Sequence, residues 1–179
     1  AAVGADSLVH VLTEDSGMDS SNVQSLLAAA VRHVGANVVL CGKQAADTNA
    51  GSTGPGVASI LGFTCVGMVS EVSTDADGFL AMRMSPSGNE KVSVSKPCLF
   101  AFDKASMEMR RPNVRGIMMA KKKAVESLTP SDLGVSLIDS RVSLESHSAP
   151  AEKPPGQKFE GASSVPTVVS KLRDEANVI

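Results

Sequence analysis

NVVLCGKQAADTNAGSTGP, residues 37–55, is the stretch on which the fold turns. Its first five residues form a short, continuous apolar run, as in a strand buried on both faces. The next twelve or so are small and polar. Pro55 then suits the first turn of a helix, with Thr53 as candidate cap. Upstream, Asp19, Ser20 and Ser21 offer a helix N-cap, and Val23, Leu26, Leu27, Ala30, Val31 and Val34 recur at helical spacing before Gly35. Further upstream, SLVHVL (residues 7–12) reads as a strand. Residues 7–41 therefore predict strand, helix, strand: a βαβ unit with a parallel sheet. The expected class is α/β, an open, mostly parallel sheet flanked by helices.

Downstream, Val57, Ile60 and Leu61 give the helix its apolar face and Gly62 stops it. The texture then changes. Strand-like runs at 63–72, 79–84, 91–95 and 97–102 are separated by Asp75-Ala76-Asp77-Gly78 and Ser87-Gly88, which predicts an antiparallel meander appended to the α/β core. Residues 110–123 read as a loop and a basic segment, and TPSDLG (129–134) as a turn or short helix. From Val135 the core-forming pattern fades. Pro150, Pro154, Pro155 and Gly156 mark an extended arm. It ends in a short helix with Ser164 as cap, Pro166 in the first turn and Val168, Val169 and Leu172 on the apolar face. The expected organisation is a domain over 1–134 and an arm over 135–179 that docks on a partner subunit. The opening residues, Ala1 to Ala5, read as a helix end running into a turn at Gly4, so an N-terminal portion is expected to precede them.

Composition narrows the function. The 179 residues are 42% apolar but only 3% aromatic, so the core is expected to be aliphatic. The net charge of −2 supplies no field toward nucleic acid or membrane. No apolar run approaches the roughly 18 residues of a membrane span. Cys41, Cys65 and Cys98 lack the paired spacing of a disulfide framework or zinc site and read as small buried hydrophobes. His10, His33 and His147 are scattered singly, and no Ser/His/Asp or Cys/His grouping suggests a nucleophile. The expectation is no metal and no catalytic residue.

Two segments carry chemistry. The loop after the 37–41 strand lies where open α/β sheets bind ligands and runs into a helix N-terminus, which attracts anions. Gly42, Ala45, Ala46, Ala50, Gly51 and Gly54 let backbone N–H groups approach a phosphate. Asp47, Thr48, Asn49, Ser52 and Thr53 add side chains that can hydrogen-bond a ribose or base. These residues suit a nucleotide site, although a plain turn-forming loop fits them as well. The second segment gathers Arg110, Arg111, Arg115, Lys121, Lys122 and Lys123. A solvated basic face and a docking surface for an acidic protein both fit. A nucleic-acid surface fits less well, because no aromatic lies between Phe102 and Phe159 to stack bases.

LCGKQAADTNAGSTGP resembles the nucleotide-binding signature of electron-transfer flavoprotein β-subunits through Gly42, Lys43, Gln44, Ala45, Asp47, Thr53, Gly54 and Pro55. MEMRRPNVRGIMMAKKK is similar to the same family's recognition loop and basic motif through Glu108, Arg110, Pro112, Gly116, Ile117, Met118, Ala120 and the three lysines. The sequence departs from the family at Ala46, Thr48 and Asn49, and at Gly51 or Ser52 where a Gln is usual. It departs again at Met109, at Arg111 in place of Tyr and at Met119 in place of Lys. Val114 matches the leucine that plugs a pocket on partner dehydrogenases.

The resemblance implies an adenine-nucleotide α-hydrolase-like fold in an αβ heterodimer. By it, residues 42–54 hold AMP, or a second FAD in bifurcating members. The redox FAD is shared and sits mainly on the α-subunit. Residues 108–118, with Arg110, Arg111, Pro112, Asn113, Val114, Arg115, Gly116, Ile117 and Met118, dock acyl-CoA and related flavin dehydrogenases. Electrons pass toward a quinone reductase, in the mitochondrial matrix or in the cytoplasm of a bacterium. Two alternatives stay open: a stand-alone adenine-nucleotide sensor of the universal-stress type, and a degenerate paralogue that has lost its nucleotide.

Overall fold

The computed structural model describes residues 1–14, 18–103, 108–143, 145–146, 148–153 and 155–179. His147 and Pro154, named above, lie outside them. The chain divides into two compact units, Ala1–Ser143 and Leu144–Ile179.

In the first unit β1 (Val9–Val11) leads to α1 (Ser20–His33) and β2 (Val38–Gly42). Asp19 caps α1 as its type predicts: the carboxylate accepts from the Asn22 N–H at 3.1 Å. A loop then leads to α2 (Thr53–Leu61), which Gly62 ends in the left-handed conformation (φ 71°). β3 (Thr64–Asp75), β4 (Gly78–Ser85) and β5 (Gly88–Val94) form the expected antiparallel meander. β6 (Cys98–Phe102), α3 (Val114–Ala120) and β7 (Glu126–Leu128) follow.

Five strands pair in the order β2-β6-β3-β4-β5, with β2, β6 and β3 parallel; β1 and β7 form a separate parallel pair. The expected parallel α/β sheet with its antiparallel extension is thus present, with three corrections. The two strands flanking α1 are not neighbours, since β1 pairs with β7 and β2 with β6. Residues 98–102 do not close the meander but insert between β2 and β3, parallel to both. The strand buried on both faces is β6 and not β2. Cys98, Leu99, Phe100 and Ala101 are all at most 3% exposed, whereas Leu40 of β2 is 63% exposed. β2 takes the edge of the five-stranded sheet: Val39 and Cys41 pack against the core cluster that includes α1 and α2, and Val38 against the cluster on the opposite side.

Alternation along β6 builds two cores. Cys98 and Phe100 pack with Val66, Val69, Ala81 and Val94 of the meander. Phe79 stands edge-on to Phe100 with centroids 5.7 Å apart, a favourable aromatic geometry. The expected aliphatic core is therefore anchored on a phenylalanine. Leu99 and Ala101 point the other way, onto Ala28 of α1 and Val57 and Ala58 of α2. A register shift between Val66 and Val69 lets β3 serve β6 with one half and β4 with the other; such bulges bend a strand and raise its twist.

Residues 135–143 belong to the first unit. Asn22, 3% exposed, donates from Nδ2 to the Ile138 carbonyl (2.7 Å) and accepts the Ile138 N–H at Oδ1 (3.1 Å). Asp19 accepts the Arg141 N–H at 2.9 Å, and its own N–H donates to Ser140 Oγ. The bonds from Arg141 first, then Asn22, hold the Asp19 carboxyl below its usual range.

In the second unit a 3-10 turn (Ala162–Ser164) opens α4 (Val165–Asp174), with Pro166 in the first turn. Ser164 stands at the N-cap but makes no capping bond; its hydroxyl donates to the Glu160 carbonyl at 2.6 Å. Val165, Val169 and Leu172 are exposed.

Candidate functional site

The 42–54 loop leaves the carboxyl end of β2 and walls a cavity of about 470 Å³, within the usual range of roughly 300–1,000 Å³ for small-molecule sites. Of the residues expected to bind, Gly42, Lys43, Gln44, Ala45, Thr48, Ala50, Gly51, Thr53 and Gly54 line it. Ala46, Asp47, Asn49 and Ser52 do not. The opposite wall was not foreseen as part of a site: Leu27 and Val31 of α1, Val39, Leu40 and Cys41 of β2, and Val57 and Leu99. Leu27 and Val31 are four apart and share a helix face, so sequence reads them only as core positions.

Each loop residue has a local reason for its place. The Asn49 N–H donates to the Ala45 carbonyl (3.0 Å), and Gln44 Nε2 donates to Asn49 Oδ1 (2.8 Å). Asn49 is left-handed (φ 51°), a conformation Asn tolerates better than most residues. Asp47 is exposed, and one of its carboxylate oxygens accepts the Thr48 N–H at 2.8 Å. Ser52, at the N-cap of α2, makes no side-chain capping bond. The first N–H groups of a helix have no partner within it, so the α2 N-terminus beside Thr53 and Gly54 has donors for an anion.

Gly54 has a packing reason. A Cβ there would lie 2.8 Å from Cys41 Sγ and 3.5 Å from Leu99 Cδ2. α2 therefore sits so close to β2 and β6 that a side chain at 54 would force the Cys41 sulfur to shift. Gly42 has no such neighbour, since a Cβ there meets nothing within 4 Å.

Among the described residues Lys43 is the one charged residue lining the cavity. Its Nζ lies 2.8 Å from Asp103 Oδ1, and its backbone N–H donates to the Phe102 carbonyl at 2.7 Å. Burial raises the Cys41 and Cys98 thiols above their usual range, and that of Cys65 as well. Only Cys98 is fully buried; Cys65 is exposed and Cys41 lies between, so the expectation of three buried cysteines holds for one. Among the described residues no group of three or more His, Cys, Asp or Glu is placed to hold a metal, and no helix is long and apolar enough to cross a membrane.

Residues 110–113 are loop, as expected, and the short helix α3 that follows was not foreseen; of the six basic residues only Arg115 lies within it. Asn113 Oδ1 caps α3 by accepting the Gly116 N–H at 2.7 Å. The turn at 1–5 braces it. Arg110 Nη1 donates to the Val3 carbonyl (3.2 Å), Lys123 Nζ donates to the Ala5 carbonyl, and a Cβ on Gly116 would collide with the Ala2 carbonyl. Two of the six basic side chains thus hold backbone. Arg111, Arg115, Lys121 and Lys122 are exposed, as are Met109, Val114 (74%), Met118 and Met119, and α3 buries no residue of its own.

Fold and cavity together define an open α/β protein with a ligand-sized cavity at the carboxyl end of an edge strand. Residues 1–133 match the electron transfer flavoprotein domain, and the chain belongs to that family. It is 32% identical over 151 residues to the probable electron transfer flavoprotein subunit beta of Schizosaccharomyces pombe, covering 84% of this chain and 58% of that one. It is 31% identical over 176 residues to the human subunit beta (97% and 68%) and 28% identical over 184 residues to that of Bacillus subtilis (99% and 72%). The chain thus spans between 58% and 72% of the length of these relatives.

Proposed function

We propose that this chain works as the β-subunit of a heterodimeric electron-transfer flavoprotein, where it holds an adenine nucleotide and docks redox partners but performs no bond chemistry. Membership of the family supports the electron-transfer role. The observation that carries the nucleotide part is the cavity itself. It joins an apolar wall (Leu27, Val31, Val39, Leu40), suited to a base, to a loop of small residues and the uncapped N-terminus of α2, suited to a phosphate. AMP is the ligand proposed for residues 42–54. The redox FAD is shared with, and held mainly by, the α-subunit. The exposed face of α3, with Val114, Ile117 and Met118 among basic side chains, supports the docking of flavin dehydrogenases of the acyl-CoA type. A quinone reductase is the proposed acceptor, and the compartment is the mitochondrial matrix, or the cytoplasm in a bacterium.

Native mass spectrometry of the intact complex tests the assembly. A complex carrying an α-subunit, one FAD and one AMP is expected; a homodimer with ATP and no flavin would refute the reading in favour of a stand-alone sensor. Calorimetry with AMP tests the site. Absence of AMP heat would leave a docking subunit without a nucleotide, a reading favoured by the ion pair that holds Lys43 on Asp103 and by the position of Asp47 outside the cavity lining.

A further inference from the structure

We propose that Asp103 limits how many phosphates the cavity accepts, by holding Lys43; the proposal rests on the nucleotide reading above. Register builds the pairing. Gly42 and Phe102 are partners at the ends of β2 and β6, so the next residues, Lys43 and Asp103, leave the sheet side by side. The Lys43 N–H bonds the Phe102 carbonyl, and the side chains close an ion pair at 2.8 Å. Backbone and side chain of Lys43 are therefore both tied to the end of β6.

The consequence is one of charge. Among the described residues Lys43 is the one charged residue lining the cavity, and the carboxylate beside it offsets its charge. What remains positive is the N-terminus of α2, worth about half a unit charge. That suits a single phosphate. Each further phosphate would meet no unmatched cation among the described lining residues and would lie near the Asp103 carboxylate. Both side chains of the pair are 31% exposed, so the discrimination is screened but not abolished. Removing the carboxylate charge while keeping the shape would release Lys43 to meet a second or third phosphate.

The experiment is calorimetry with AMP, ADP and ATP on the full chain bound to its partner subunit, for the unmodified protein and Asp103→Asn, with thermal melts to check folding. The unmodified protein is expected to bind AMP more tightly than ADP, and ADP more tightly than ATP. In Asp103→Asn the ratio of ATP to AMP affinity rises roughly tenfold, and less at high salt. Asp103→Ser removes the same charge with a smaller side chain, is expected to raise the ratio likewise, and decides the matter should Asp103→Asn fail to fold. An unchanged ratio in a folded variant, with AMP still bound, overturns the role of Asp103 alone. No AMP binding by the unmodified protein overturns the nucleotide reading and this proposal together.

Discussion

Replacing Gly54 tests whether the glycines of the loop serve a ligand or the packing of α2. A Cβ at Gly54 would lie 2.8 Å from Cys41 Sγ, closer than real carbon–sulfur contacts allow, while Leu99 Cδ2 at 3.5 Å and Ala101 Cβ at 3.8 Å stay in ordinary contact. The clash is thus with a single atom. Overpacking of this kind costs about 1–3 kcal/mol. The backbone at Gly54 is not left-handed, so alanine returns up to about 1 kcal/mol of helix propensity. With the full return, Gly54→Ala alone should then destabilise by about 0–2 kcal/mol. In the Cys41→Ala background the clashing sulfur is gone and only the propensity gain remains, so the same substitution should stabilise by up to about 1 kcal/mol. The double-mutant cycle should show a coupling of about 1–3 kcal/mol. Urea unfolding of the four proteins measures it, as does thermal unfolding, where each kcal/mol shifts the midpoint by about 2–4 °C. If Gly54→Ala has the same sign and size in both backgrounds, the packing argument is wrong, and the glycine is there for something other than the sulfur.

Three further outcomes are expected. Asn22→Ala removes both bonds to the Ile138 backbone and should cost about 2–3 kcal/mol, with hydrogen exchange accelerated at residues 138–141; unchanged exchange there would refute the clamp. Asp19 and Asp132 both have carboxyls held below the usual range by backbone N–H bonds, from Arg141 and Thr129 respectively. Between the lowered folded value and the unfolded value near 3.9 the unfolded chain binds more protons, so stability rises with pH through that window and is lost as the pH falls through the folded value. An Asp19→Asn, Asp132→Asn variant should show a shallower acid limb in its unfolding midpoints. On the proposed docking role, Val114→Leu adds one methylene at an exposed contact position and should tighten binding to a flavin dehydrogenase by about 0.8 kcal/mol, roughly fourfold, by surface plasmon resonance; a weaker complex would remove Val114 from the contact.

The local punctuation of this chain was readable before its fold. Asp19, Gly35, Pro55, Gly62 and the Asp75–Gly78 turn mark element boundaries through their own backbone chemistry, which does not depend on distant residues. The same holds for the 42–54 loop, whose small residues and following proline point to a strand-to-helix connection wherever they occur. Sequence alone also carried the family, because the two motifs lie in order along one chain. It did not reveal which strands are neighbours. NVVLC and CLFAF are both short apolar runs, and apolar content says that a strand is buried without saying by what. Only the sheet order put Phe100 at the centre and left Leu40 at an edge. The site divides the same way. Its loop was legible, but Leu27, Val31 and Asp103 join it only because α1 and the end of β6 come to rest beside Gly42. Residues sixty apart in the chain meet through register, and register depends on pairing energies across the sheet that no single segment encodes.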